Sequence, residues 1–412
     1  MMHVSDKAKS VISRAEEECR EIFEKIEKIE LANTQRVLRA FHRERVEARH
    51  FTQTYGYGYD DVGRDTLDRV FAAAYFCEDA LVRPQLASGT HTIYLALDGL
   101  LQAGDNIIFA SGAPYDTLQT AINSEHSFAK NGVVCHTVEL SDGRIDVEKV
   151  MELLDEKTRV VYVQRSRGYT WRNAILPQDM EELFSRVHDA SSYAFTVVDN
   201  CYGEFTCECE PSCFGADVLL GSLIKNAGGG ISPTGGYICG THEAISIIEH
   251  RLTVPGTGRE IGSYAASYLP FYQGLFNAPH VTAQALKTAV LFARAFEIIG
   301  METLPPHAAS RSDIVQSIMF TEPESLIAFC RSIQACSPVD AHVVPEPWDM
   351  PGYDNQVIMA AGTFVQGSSV ELTADAPMRE PFIAYVQGAL TYAHGKIAAE
   401  SAITAVLENK KT

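Results

Sequence analysis

Residues Gly221–Gly230 read GSLIKNAGGG, a single lysine set between an apolar approach and three glycines. Lysine carries a compact, strongly hydrated charge and is seldom buried without a partner. Lys225 is therefore either a surface residue beside a flexible loop or an amine that something buried requires. Its surroundings bear on the choice. The apolar runs ALVRPQL, NIIFASG, VVCHTVEL, RVVYVQ and FTVVDN precede it, and TGGYICG follows; each suits a buried strand. Segments of helical spacing lie between them, as where Val147, Val150, Met151 and Leu154 fall on one face. Strand and helix alternating this often predict an α/β domain with a mostly parallel sheet.

The rest of the chain divides around that core. Ser5 to about Val46 reads as one or two charged helices, broken near ELANTQ, where Asn33 and Thr34 are good capping types. Heavy charge and a modest apolar stripe make this an arm lying over another surface. TYGYGYDDVGRD is a loop by its turn chemistry. Past Ala278, long helical stretches alternate with short strands such as NQVIMAAGTF and SSVELTAD, with HVVPEPWDMPGYD as a loop between them. The expected organisation is an arm and loop over 1–60, a large α/β domain over 61–278 and a smaller α+β domain over 279–412.

Composition excludes some functions. The chain of 412 residues has 34 basic and 53 acidic side chains, a net charge of −19, which repels nucleic-acid backbones. No apolar run approaches the roughly 20 residues that span a bilayer, and the charged N-terminus lacks a signal core. A cytoplasmic protein is expected, with its ten cysteines as reduced thiols. Cys207, Cys209 and Cys213 stand in TCECEPSC, but C-x-C-x3-C without a second pair does not suit a structural zinc, so no metal is expected.

Parallel α/β sheets hold ligands beyond the carboxyl ends of their strands, so the residues that follow each apolar run are the candidates. Ser88, Gly89 and Thr90 leave a strand and open an apolar helix, which makes either an anion site or an ordinary N-cap. There is no G-x-G-x-x-G, and the glycines follow Lys225 rather than precede it, so neither a dinucleotide fingerprint nor a P-loop is present. Tyr115 sits where a ring can lie on a planar ligand. Asp199 ends a strongly apolar strand, where it needs a partner or caps a turn. Ser222 and Lys225 close the next strand, with Lys225 26 residues after Asp199. Pyridoxal phosphate calls for this set: a lysine for its aldehyde, an acid for its ring nitrogen, an aromatic face and a phosphate cradle. The apolar approach predicts a desolvated lysine of lowered pKa, and the glycines a backbone that passes close to the cofactor.

The order SGTHTI, PYDT, VVDNCYGEF and GSLIKNAGGG resembles the fold-type I pyridoxal-phosphate enzymes of cysteine and methionine metabolism. Within that group QRSRGYTWR, GSLIKNAGGGISPTGGYI and ELTADAPMREPFIAYVQGALTYAH resemble the aluminium-resistance family, which is similar to cystathionine β-lyase and methionine γ-lyase. The resemblance covers nearly all of the chain from about residue 30. It implies a fold-type I transferase-like architecture with a seven-stranded sheet, Lys225 holding pyridoxal phosphate, Asp199 on its ring nitrogen and Tyr115 stacked upon it. It implies Ser88, Gly89, Thr90 and Ser222 around the phosphate, and homodimers paired into tetramers with shared sites. Three positions depart from the better-known lyases. Ile224 replaces a hydroxyl residue before the lysine; Gly58 stands near an arginine position beside Tyr57 and Tyr59; and Glu371 replaces the arginine that holds the substrate carboxylate. Arg165 or Arg167 is expected to supply that cation. The implied activity is elimination of a thiol from a small sulfur-containing amino acid. The alternatives are another pyridoxal-phosphate reaction (transamination, aldol cleavage or racemisation) or a weakly catalytic binding protein.

Overall fold

The computed structural model describes residues 4–350 and 354–409. Every residue of Phe195–Asp199 and of Val218–Ser222 is buried, as unbroken apolar runs must be when helices cover both faces of a sheet. These are the central strands of a seven-stranded sheet formed by β1 (Asp79–Arg83), β2 (Asn106–Phe109), β3 (Val134–Thr137), β4 (Thr158–Gln164), β5 (Phe195–Asp199), β6 (Val218–Ser222) and β7 (Gly236–Gly240). Their spatial order is β1-β7-β6-β5-β4-β2-β3. The pairings among β2 to β6 are parallel, and β7 runs antiparallel to both of its neighbours. The mostly parallel sheet read from the sequence is thus present. Register aligns Gln164 with Asp199, and Asp199 with Leu220. The polar ends of β4, β5 and β6 therefore emerge along one edge.

A second sheet, antiparallel throughout, has the order β10-β11-β12-β9-β8, from β8 (Thr303–Leu304), β9 (Val315–Phe320), β10 (Val357–Ala360), β11 (Thr373–Pro377) and β12 (Phe382–Gln387). Helices Pro323–Ala335 and Tyr392–Asn409 contribute Phe329, Ile333, Ala399 and Ile403 to its core. The helix Leu269–Ile298 joins the two sheets and runs through position 278. SSVELTAD, read as a strand from Ser368, is extended only from Thr373; the residues before it form a loop.

The N-terminal segment differs from its reading. Asp6–Arg43 is one unbroken helix of 38 residues, capped by Ser5, whose side chain accepts from the Ala8 amide. Asn33 does not cap a second helix. It is fully buried, and its Nδ2 donates to the carbonyls of Phe205 at 2.9 Å and Cys207 at 3.1 Å. A tertiary partner for the amide removes the competition with the backbone that makes asparagine a helix breaker. Ala8, Ile12 and Ala15 pack into the core of the second sheet, so this helix is more than a surface arm.

The glycines after Lys225 also have a different reason. At Gly228 a Cβ would collide with the carbonyl oxygen of Leu223 and stand 2.7 Å from Ser232 Cβ. At Gly228 the close approach is the loop folding on itself; Gly229 and Gly230 have positive φ and lie against the Gly274 carbonyl and Leu390. Gly228→Ala is expected to destabilise the protein by about 3 kcal/mol, the cost of overpacking against rigid backbone. Denaturant unfolding, with the slope checked for constancy, measures it.

Candidate active site

The strand ends meet at a cavity of about 1010 Å³ that is closed on its far side by the second sheet. Ser88, Gly89, Thr90, Tyr115, Asp199, Ser222 and Lys225 all line it. Ser88 caps the helix Gly89–Leu100, accepting from the His91 amide at 3.0 Å. A Cβ at Gly89 would come within 3.3 Å of Ser222 Cβ, so the helix end lies close against β6. Helix amides, the Thr90 hydroxyl and the Ser222 hydroxyl therefore converge where the helix dipole favours an anion. Both readings of Ser88–Thr90, cap and anion cradle, are compatible with this geometry.

Tyr115 lies across the cavity, its hydroxyl donating to Thr90 Oγ1 at 2.9 Å and its amide to Gln164 Oε1 at 3.0 Å. Burial pushes its phenol up. Asp199 is buried, accepting from the Cys201 amide at 3.0 Å. Burial raises its carboxyl above the usual range, opposed by the Lys225 ammonium and the Cys201 amide. Burial likewise works against the charge of Lys225. Cys201, Tyr202, Asp199 and Tyr115 outweigh it, so the amine is held protonated and its pKa is raised, not lowered as the sequence suggests. An apolar approach does not depress a lysine that ends facing a carboxylate.

The arginines read as substrate ligands are already engaged. Arg165 is fully buried outside the cavity, bonded to Asn200 Oδ1 and to Ser312 Oγ at 2.7 Å, with Glu210 at 3.8 Å. Arg167 reaches the cavity wall but spends its guanidinium on Asp313, at 3.0 and 3.3 Å, and on the Leu304 carbonyl. Both side chains tie the first sheet to residues 304–317. Glu371 is equally occupied. Buried in the loop before β11, it accepts from the amides of Phe364 at 2.9 Å and Val365 at 3.0 Å, clasping the loop at the cavity rim. Tyr57 is 71% exposed and lies outside the cavity of its own chain, beside Tyr59.

Three cavity residues went unnoticed in the sequence. Tyr202, left-handed at φ 68, places its ring 4.0 Å from Lys225 Nζ. Arg172 ends the same QRSRGYTWR motif as Arg165 and Arg167. Its terminal nitrogens donate to the carbonyls of Gln164, Arg165, Ser166 and Asn173, and it has no carboxylate partner among the described residues. Burial lowers it to about 10. Asp375 on β11 is the third. Motif spacing could have proposed Arg172; only the fold reveals the other two.

The fold is that of the fold-type I pyridoxal-phosphate enzymes, and donors for an anion, an acid at a strand end, an aromatic face and an amine in one cavity fit that cofactor. A profile of the methionine gamma-lyase family matches residues 8–407, and the chain belongs to this family. It is 45% identical over 395 residues to YnbB of Bacillus subtilis, covering 94% of each chain. The crystal structure of a carbon-sulfur lyase involved in aluminum resistance from Clostridium novyi NT matches with TM-score 0.94 at 45% identity, over 97% of this chain and 96% of that one. The pyridoxal-5'-phosphate dependent protein YhfS of Escherichia coli shares the fold, with TM-score 0.64 at 17% identity over 93% of this chain and 97% of that one.

Beneath the site, Glu204 is fully buried, with Oε1 accepting from the Tyr237 hydroxyl at 2.8 Å and Oε2 unpartnered among the described residues. Burial raises its carboxyl from 4.5 to about 8. The folded protein then binds a proton that the unfolded chain has lost, so stability falls as pH rises through that window. Glu204→Gln is expected to flatten this decline, with a Tm gain that grows toward pH 8. Thermal unfolding of both proteins at several pH values measures it.

Proposed function

We propose that this protein is a pyridoxal-phosphate-dependent carbon–sulfur lyase acting on a small sulfur-containing amino acid. The observation that carries the reading is Lys225 and Asp199 at successive strand ends in the cavity that also receives the helix end at Ser88–Thr90. Those amides and hydroxyls would hold the phosphate; Asp199 would hold a proton on the ring nitrogen; Tyr115 would cover one face. When bound, the cofactor supplies an electron sink for charge developing at the substrate α-carbon. Lys225 Nζ would anchor it, and the same amine, when free, would take the α-proton. The Tyr202 ring steadies that ammonium from the side. The second sheet excludes water from the reacting bonds.

The substrate carboxylate is assigned to Arg172, which lines the cavity and forms no ion pair among the described residues; both terminal nitrogens hold backbone carbonyls, so its Nε is the donor assigned to that anion. A half-buried cation without an ion-paired carboxylate is a ready partner for one. The exposed ring of Tyr57 is assigned to the phosphate of a neighbouring subunit in a dimer or tetramer. The free cysteines suit a reducing compartment, and the reading places the enzyme in the cytoplasm. Among the described residues, no helix is long and apolar enough to cross a membrane.

Two variants test the assignment. Lys225→Ala is expected to lose the visible absorbance of the cofactor-bound enzyme and to release no thiol; normal thiol release from this variant would sink the mechanism. Arg172→Gln is expected to raise KM for an amino-acid substrate by roughly 10- to 100-fold, with a smaller change in kcat, the loss of one charged hydrogen bond. Steady-state kinetics measures the split.

A further inference from the structure

The loop after β5 carries three thiols that the proposed reaction leaves unused, Cys207, Cys209 and Cys213, and the Cys77 thiol meets it at Ser212. Among the described residues, no group of three or more histidine, cysteine or acidic side chains could hold a metal ion. Two of the thiols do meet. The Cys213 amide donates to the Glu210 carbonyl at 3.0 Å, closing the turn that opens the short 3₁₀ helix Pro211–Phe214. Cys209 and Cys213 flank this turn; both are exposed, and the Cys213 thiol hydrogen-bonds the Cys209 sulfur. The other two face elsewhere. Cys207 Sγ lies 3.8 Å from Thr206 Oγ1 and 3.9 Å from the Arg311 carbonyl oxygen, and Cys77 Sγ lies 3.4 Å from the Tyr75 carbonyl oxygen. The turn itself is anchored from below. Ser212 Oγ donates to the Tyr75 carbonyl at 2.5 Å, and the Glu210 carboxylate accepts from Arg36 Nη2 at 2.9 Å and from Asn200 Nδ2 and the Phe205 amide at 3.0 Å.

A fixed backbone that keeps two sulfurs in contact makes a bond between them an intramolecular event, favoured over any reaction that needs a second encounter. We propose that Cys209 and Cys213 are a thiol–disulfide exchange site, which a low-molecular-weight disulfide oxidises to an intramolecular bridge and a free thiol reopens. Cys209 loses its proton and attacks one sulfur of the small disulfide, whose sulfur–sulfur bond breaks; the first small thiol leaves with that proton. Cys213 then loses its proton and attacks the Cys209 sulfur of the mixed disulfide, releasing the second small thiol. The pair of cysteines gives up two electrons and two protons, and the small disulfide takes them. Burial and the adjacent sulfur push the Cys213 thiol up to about 11, which leaves the first attack to Cys209. In reducing compartments, disulfides are of this transient, redox-sensing kind. The bridge encircles Glu210, so it closes around the carboxylate that joins the N-terminal helix, through Arg36, to Asn200 at the end of β5. On the lyase reading, the thiol that the enzyme releases is of the class that reopens the bridge. Exchange itself needs neither cofactor nor substrate.

The test treats the pyridoxal-phosphate-loaded protein with oxidised glutathione and maps its peptides by mass. The peptide carrying Cys209 and Cys213 is expected to lose two hydrogens and to hold no glutathione, while Cys135, exposed on the edge strand β3, keeps one glutathione. Reduced glutathione should restore both. Cys213→Ser is expected to trap a single glutathione on Cys209 and to lose the bridge. Exposed side chains such as these contribute little to the fold, and should the variant fail to fold, the wild-type map decides alone. Glutathione retained on both Cys209 and Cys213 would mark them as independent thiols and overturn the proposal. A bridge that joins Cys207 to either of them would overturn it too, as would the absence of reaction at both residues while Cys135 is labelled. None of these readouts uses a substrate, so a failed lyase assay leaves the exchange site standing, and a missing bridge leaves the lyase reading standing.

Discussion

Asp199 and Lys225 occupy one buried corner, and each charge works against the burial that opposes the other. Taken singly, burial would drive the carboxyl to hold its proton and the amine to lose one. Together, each offsets part of the other's desolvation cost. The rest of the architecture serves to bring them there. β5 and β6 must be adjacent and parallel so that both residues leave the same edge, which requires a covered sheet with unbroken apolar strands. The loop after β6 must turn sharply to aim the amine inward, which Gly228 permits.

The sequence made this part legible because the signals were local. Strand ends are visible as apolar runs that stop at a polar residue, and Ser88, Tyr115, Asp199, Ser222 and Lys225 each stand at one. The family resemblance added their roles, and the cavity gathers all of them. What the sequence concealed depends on long-range pairing. Arg165 and Arg167 look like free cations in QRSRGYTWR, but Ser312 and Asp313, some 146 residues away, absorb them. Asn33 looks like a helix cap until the Phe205 and Cys207 carbonyls are seen above it. Asp375 is an unremarked residue in a short strand until β12 brings Gln387 beside it. Periodicity and motif spacing carry no information about such contacts.

Glu371 shows how a departure from a family pattern can be read wrongly as a gap. A glutamate at the place of a substrate-binding arginine suggests a site that has lost its anion receptor. The structure gives the residue other work: its two oxygens hold a pair of loop amides at the rim. The cavity still has positive charge, in Arg172 and Arg379, from different segments of the chain. Function at such a site is better judged from the charges that line it than from any one aligned position.

The long N-terminal helix has a mechanical consequence. At about 1.5 Å per residue, its 38 residues reach roughly 57 Å. Near one end Ser5 meets Thr404 and Glu16 takes bonds from Tyr392 and Lys396; toward the other, Asn33 and Arg36 grip the loop after β5. It is a splint fastened to both bodies that enclose the cavity. Any swing of one sheet away from the other would have to bend this rod or tear its fastenings. The contacts at its two ends thus set the spacing between the walls of the chamber.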